Sequence, residues 1–287
     1  MLFTIAIPTY NNASILPKAI ESAINQDYQD KYEILIVNNA STDNTLEVIN
    51  LYQGKANIRI VNNPKTVELL ENHNVCLKEA VGEYVLFLHS DDELCENALT
   101  VLEDRLRLRL YPKRYILWGH SSLYDYQYSI VKGGQNLNMV ISGEHAHRCF
   151  LHMGGVSPSG TLYSRESLLE IGAFPPAKSP LTPHDWYIMI WASFNFFEIE
   201  MMDRLILRRT ISTTSKTARS QKHTDEVNLE MFGVLLNTLN DSQRQRFLSS
   251  VLNFGPPYLI NLLKVNFSKR QLLKARIRNF KRHLLSI

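Results

Sequence analysis

Apolar and polar positions follow two different periods along this chain. Through the first hundred residues, short apolar runs alternate with longer stretches of helical period. Residues 4–8, 33–37, 58–61 and 84–88 read as strands, and 14–26, 45–52, 67–81 and 97–109 read as helices. Strands that alternate with helices need crossover connections, so the pattern predicts an α/β fold with a mainly parallel, Rossmann-like sheet covered by helices. Ligands should gather where such strands end, at residues 8–12, 38–43, 62–65 and 89–93. A further strand is expected at 115–118. Residues 121–159 then lose any sustained period and read as a long binding loop. Strand 160–163, helix 165–171, helix 185–192 and two separate strands, 196–200 and 203–208, follow. From residue 225 the pattern is helical, broken at Gly255-Pro256-Pro257.

The strand ends differ in chemistry. Tyr84-Val85-Leu86-Phe87-Leu88 runs directly into His89-Ser90-Asp91-Asp92-Glu93. Neighbouring carboxylates repel, so this grouping predicts either a cation site or a solvated turn whose acids cap the next helix. No Gly-x-Gly-x-x-Gly and no Gly-Lys-Ser/Thr follows any strand, which removes the main support for dinucleotide and P-loop sites.

Composition narrows the class. With 287 residues, 45% apolar and 21% charged, the chain is sufficient for one large domain and an appendage. Its three cysteines, Cys76, Cys95 and Cys149, form no zinc-like pair, which fits a reducing compartment. Neither a signal peptide nor a membrane span is expected. The net charge of +3 conceals an asymmetry: ten Lys and Arg and no acid follow Asp241, so residues 1–241 carry −7. Within that tail Leu273, Ile277, Phe280 and Leu284 form an apolar stripe among basic residues. Such a helix would lie on an anionic membrane surface, or pack its stripe on the body or on a second copy in a homo-oligomer. Nucleic acid is the weaker reading, because no recognition fold accompanies the basic run.

Several motifs together resemble one family. Ile5-Ala6-Ile7-Pro8-Thr9-Tyr10-Asn11, then Glu33-Ile34-Leu35-Ile36-Val37-Asn38-Asn39-Ala40-Ser41-Thr42-Asp43, then Asn74 and Ala80-x-Gly82-Glu83-Tyr84 before the acids, are similar in order and spacing to family 2 glycosyltransferases of the GT-A fold. The resemblance implies a catalytic domain over residues 1–215, divided into a nucleotide-sugar half (1–110) and an acceptor half (111–215), with a helical basic extension over 216–287. It also implies an inverting transfer from a nucleotide diphosphate sugar to a saccharide or lipid-linked saccharide, in the cytoplasm or at the inner face of the cell membrane.

Residue by residue, the resemblance assigns Pro8, Thr9, Tyr10, Asn11, Asn38, Asn39, Ser90, Asp91 and Arg209 to the nucleotide sugar, with Arg208 the competing arginine. Asn38-Asn39 stands where the family has paired aspartates, and His89-Ser90-Asp91 stands where it has Asp-x-Asp. Asp91 is therefore the expected ligand of a divalent ion, Mn²⁺ or Mg²⁺; His89 is either a ligand, a hydrogen-bond donor or a structural histidine. Asp185 matches the family's base and would take the acceptor hydroxyl proton, its local alternative being a helix cap. Gly160, Thr161, His184 and Trp186 fall on the acceptor side. Two rivals remain at this point. A nucleotidyltransferase would need a glycine-rich basic loop after the first strand, which is missing, and a silent nucleotide-sugar or glycan binding module would account for the substitutions at residues 38, 39, 89 and 184.

Overall fold

The structure, a computed structural model, describes residues 1–55, 57–124, 130–132, 139–153, 156–175, 184–210 and 224–266. Its first half alternates as the pattern predicts: β1 (Phe3–Thr9), α1 (Leu16–Ile24), β2 (Glu33–Asn38), α2 (Thr45–Asn50), β3 (Ile58–Asn62), α3 (Leu69–Glu79), β4 (Tyr84–Phe87). A two-residue β5 (Glu93–Leu94) precedes α4 (Ala98–Leu108). The second half comprises β6 (Tyr115–Tyr124), β7 (Ile130–Lys132), β8 (Met139–Ser142), α5 (Gly143–Met153), β9 (Thr161–Ser164), α6 (Arg165–Glu170), α7 (His184–Phe194) and β10 (Glu198–Thr210). The helices α8 (Thr224–Thr238), α9 (Asp241–Phe254) and α10 (Pro257–Asn266) follow.

One sheet runs through the molecule in the order β3-β2-β1-β4-β9-β6-β10-β5, with β7 beside β6 and β8 beside β10. The segment β3-β2-β1-β4 is entirely parallel. Beyond it the sheet is mixed: β9 is antiparallel to both neighbours, β6 and β10 are parallel, and β5 and β8 are antiparallel to β10.

Strands β1, β2 and β4 are buried along their whole length, as expected for strands covered on both faces. Their alternate side chains supply two separate cores. Ile5, Ile7, Ile34, Ile36, Leu86 and Leu88 pack under α1 and α4, while Ala6, Leu35, Val37, Val85 and Phe87 pack under α3, in a core that continues to α5, α7 and the C-terminal helices. Gly82 marks a tight approach between α3 and β1. A Cβ there would sit 2.5 Å from the Thr4 nitrogen, and the Gly82 amide donates to the Thr4 hydroxyl at 2.9 Å.

Three expectations need correction. The acids do not cap a helix: α4 begins at an Asn97 cap without a side-chain bond, and Glu93 instead enters β5 beside Arg208. The strands expected at 196–200 and 203–208 are one strand, β10, because register shifts against β6 between Met202 and Leu207 absorb the break. Residues 121–159 are not an unbroken loop but contain α5, whose Ala146, His147, Phe150 and Leu151 are buried. The described helices of 216–287 share a core with the preceding body, where Phe232, Phe247 and Val251 join Phe150, Trp186 and Phe194. The amphipathic stripe at 273–284 lies outside the described residues.

Candidate functional site

The strand order places β2 on one side of β1 and β4 on the other, so the crevice at a topological switch point opens where β1 and β4 end. Three loops meet there and are fastened to one another. The Asn39 amide nitrogen donates to the Thr9 carbonyl at 2.9 Å. Asn11, in a left-handed conformation at φ 50°, receives the Thr42 amide on Oδ1 at 2.8 Å and donates its own amide to the Ser41 hydroxyl at 3.0 Å. Asn12 Nδ2 donates to Ser90 Oγ at 2.5 Å, tying the first loop to the acidic one. Tyr10 is exposed at the rim, Pro8 and Thr9 are buried, and Thr9 Oγ1 has no hydrogen-bond partner among the described residues.

The two asparagines at the end of β2, Asn38 within it and Asn39 just beyond, are buried and engaged. Asn38 Nδ2 donates to Asn62 Oδ1 at 3.0 Å. Asn39 forms a two-bond pair with the Val67 backbone, and its Oδ1 also receives Asn63 Nδ2 at 3.0 Å. Both lone pairs of the Asn39 carbonyl are thereby used inside the protein.

At the end of β4, one ligand atom from each of His89, Asp91 and Asp92 lies within 4.8 Å of the others. The Ser159 hydroxyl, in the loop before β9, accepts the His89 amide at 3.0 Å, and Asp92 Oδ1 accepts the Thr210 amide at 3.1 Å. Burial raises the Asp91 carboxyl pKa against the partly offsetting charge of Arg209. Burial and the neighbouring Asp91 charge push Asp92 up to about 7. One nitrogen and two crowded, desolvated carboxyls form a donor set that fits a divalent cation, whose charge would relieve the repulsion.

Strand alternation puts the two arginines on opposite faces of β10. Arg209 is close enough to influence both Asp91 and Asp92, whereas Arg208 is exposed and acts on Cys95 on the other side of β10.

The residues expected on the acceptor side are placed less uniformly. Gly160 adopts φ +79°, donates its amide to the Phe87 carbonyl at 2.9 Å and leaves only 3.0 Å between a hypothetical Cβ and Leu207. Thr161 is fully buried and its hydroxyl donates to the Ser157 carbonyl at 2.6 Å. These two shape the loop that carries Ser159 to the acids. Asp185 is half-buried in the first turn of α7, where Oδ1 accepts the Trp186 amide at 2.9 Å, and its charge reaches Tyr163 on β9. Trp186 is buried, with its indole N–H donating to the Phe150 carbonyl at 2.5 Å. His184 opens α7, its side chain lying outside the described residues, as do Gly154 and Gly155.

One participant has no counterpart in the sequence reading. His73 on α3 is fully buried, and its Nε2 lies 3.1 Å from His89 Nε2. Its signal in the sequence is a polar residue inside an apolar helical stripe, Leu70-His73-Asn74-Leu77, where Asn74 likewise holds the Phe174 backbone at 2.9 and 3.0 Å.

A family model described as glycosyl transferase family 2 matches residues 4–172. Over 107 residues the chain is 33% identical to the poly(ribitol-phosphate) beta-N-acetylglucosaminyltransferase TarS of Staphylococcus aureus, covering 34% of this chain and 18% of that protein. Over 101 residues it is 38% identical to a GalNAc(5)-diNAcBac-PP-undecaprenol beta-1,3-glucosyltransferase of Campylobacter jejuni, covering 34% and 32%. In both cases the match spans less than a third of the relative's own length. In three dimensions the fold is similar to that of S. aureus TarS 1–349 solved with UDP-GlcNAc, at a TM-score of 0.67 and 20% identity, covering 96% of this chain and 79% of that one.

Proposed function

Since the chain belongs to glycosyl transferase family 2, we propose that it moves a sugar, with inversion, from a UDP-linked donor to a saccharide or lipid-linked saccharide in surface-polymer synthesis. The observation that carries this reading is the convergence of His89, Asp91 and Asp92, with Arg209 beside them, at the carboxyl end of β4. The uridine donor is supported by the UDP-GlcNAc bound to TarS, and the acceptor class by the polymer and undecaprenol-linked saccharide named for the relatives.

Pro8, Thr9, Tyr10 and Asn11 would line the nucleotide, where the buried Thr9 hydroxyl gains a polar partner. Asn38 and Asn39 hold the loop that closes this pocket, and Ser90 fixes the acidic loop to it through Asn12. Asp91 and His89 would hold a divalent ion, Mn²⁺ or Mg²⁺, which supplies positive charge to the leaving diphosphate. Arg209 adds a fixed cation on the same side. Asp185 takes the acceptor hydroxyl proton as the acceptor oxygen bonds to the anomeric carbon. The bond from that carbon to the diphosphate breaks, and its electron pair leaves on the diphosphate oxygen.

A hydrolysis and transfer screen with UDP-, GDP- and dTDP-sugars, with and without Mn²⁺, tests this reading. Turnover of a UDP-sugar is expected, reduced about 10²-fold or more in Asp91→Ala and by about 10²–10⁴-fold in Asp185→Asn. Failure of every donor to bind favours a silent binding module, and turnover that survives both substitutions removes the assigned roles.

A further inference from the structure

Strand β10 changes face partway along its length. Ile199 and Met201 belong to the core under α3, and Met202 to the core under α1 and α4, as regular alternation requires. Ile206 and Leu207 are consecutive, yet both are fully buried in the core under α1 and α4. The register accounts for this. Met202 stands level with Gly119 of β6 and Leu207 with Ser121, so four residues of β10, Asp203 to Ile206, are accommodated against His120 alone. The excess of three is odd, and an odd excess moves every later side chain to the opposite face. The register is continuous again from Leu207 to Thr210, so Arg209 shares the face of Leu207. Without the bulge, Arg209 would point with Ile199 and Met201, and Arg208 would take the face that Arg209 now occupies.

One close contact holds the bulge in place. A Cβ on Gly119 would sit 2.3 Å from both Cγ1 and Cδ1 of Ile206. The Ile206 side chain therefore plugs the space that any other residue at position 119 would need. Beyond the plug, β10 leaves β8 and takes up β5, the short strand that follows the acids. The Ile206 carbonyl accepts the Cys95 amide at 2.9 Å, Leu207 and Arg208 pair with Leu94 and Glu93, and the Thr210 amide donates to Asp92. We infer that Gly119 and Ile206 are positioning residues: by locking the bulge, they turn Arg209 rather than Arg208 toward Asp91 and Asp92 and seat the end of β10 on the acidic loop. The inference rests on the donor-diphosphate reading proposed above and deepens it, because it names what selects the arginine that meets the diphosphate. Neither residue has a polar side chain, so the role is one of geometry.

A double-mutant cycle, read by kcat/KM with a UDP-sugar, tests the lock. Gly119→Ala should lower kcat/KM about 10-fold, the loss expected of Arg209→Ala itself. In an Arg209→Ala background the same change should cost no more than about twofold, because the two act through one contact. Losses that multiply, or full activity in a folded Gly119→Ala protein, would overturn the inference. Ile206→Ala withdraws the plug instead of crowding it and should give the same non-additive pattern, which keeps the test available if Gly119→Ala does not fold. Amide hydrogen exchange supplies a readout independent of catalysis. In either variant the Cys95 and Thr210 amides should exchange about 10-fold faster or more, while the Glu198 amide, bonded to the Arg114 carbonyl at 3.0 Å ahead of the bulge, keeps its rate. Uniform acceleration, or none, contradicts the lock. If the parent protein turns over no UDP-sugar, the transferase reading itself fails, and the exchange pattern alone decides whether Gly119 and Ile206 set the strand.

Discussion

At the scale of single residues, the site depends on which atoms are already engaged. Asn39 illustrates this: an amide would ordinarily offer an acceptor to a pyrimidine N–H, but its oxygen already receives Val67 and Asn63. These bonds hold the loop after β2 to the segment around Val67. Arg208 and Arg209 differ by one position and by a whole face of β10. Arg209→Ala should therefore reduce donor turnover about 10-fold or more, the worth of a charged hydrogen bond, whereas Arg208→Ala should leave it nearly unchanged, as measured by steady-state kinetics with a UDP-sugar. Equal effects would contradict the assignment. Part of this arrangement was legible in the sequence, because strand ends and their acids are local features: His89, Ser90 and Asp91 lie at the end of β4 as the apolar run predicts, whereas the part of Asp92 in the cluster was not foreseen. The contributions of His73, Ser159 and Asn12 were hidden because they depend on which loops meet across the sheet. Trp186 shows the opposite case, since an aromatic residue beside a proposed base was buried by the packing of α5 and α8, which no local pattern reveals.

At the scale of elements, the periodic half of the chain was readable and the second half less so. Strands β1, β2 and β4 are continuous apolar runs bounded by polar turns, which periodicity detects. Helix α5 escaped because its buried face includes His147 and its flanks are rich in Gly, Ser and Asn. That histidine stacks on Phe194 at 4.6 Å and pairs through Nε2 with Ser250 Oγ on α9 at 2.9 Å, joining α5, α7 and α9. Burial lowers its pKa from 6.5 to about 4, opposed by Glu144 and assisted by Arg148 and Arg246. Below pH 6.5 the unfolded chain binds a proton that the folded protein refuses, so the folded state loses stability as pH falls toward 4. The loss is at most about 3 kcal/mol. Urea unfolding across this range should show the decline in the parent and a flatter profile in His147→Leu; identical slopes would exclude His147 as its source.

At the scale of the whole molecule, one sheet carries both halves of the site, with a parallel segment presenting the β1, β2 and β4 loops and a mixed segment bringing β9 and β10 to them. The packing of α8 and α9 on α5 and α7 makes the described part of the C-terminal region continuous with that body. Beyond it, the uncompensated positive charge after Asp241 predicts an affinity for anionic surfaces. Removing residues 267–287 should weaken binding to vesicles containing anionic lipid, most clearly at low salt, as read by sedimentation. Unchanged binding would remove the membrane role. The central claim, that the end of β4 holds the metal on a donor diphosphate, is tested most directly by a crystal structure with UDP and Mn²⁺ recorded at the manganese edge. The account predicts an anomalous peak bonded to an Asp91 oxygen, a His89 ring nitrogen and the diphosphate oxygens. A nucleotide bound in the crevice with manganese elsewhere, or with none, would contradict it.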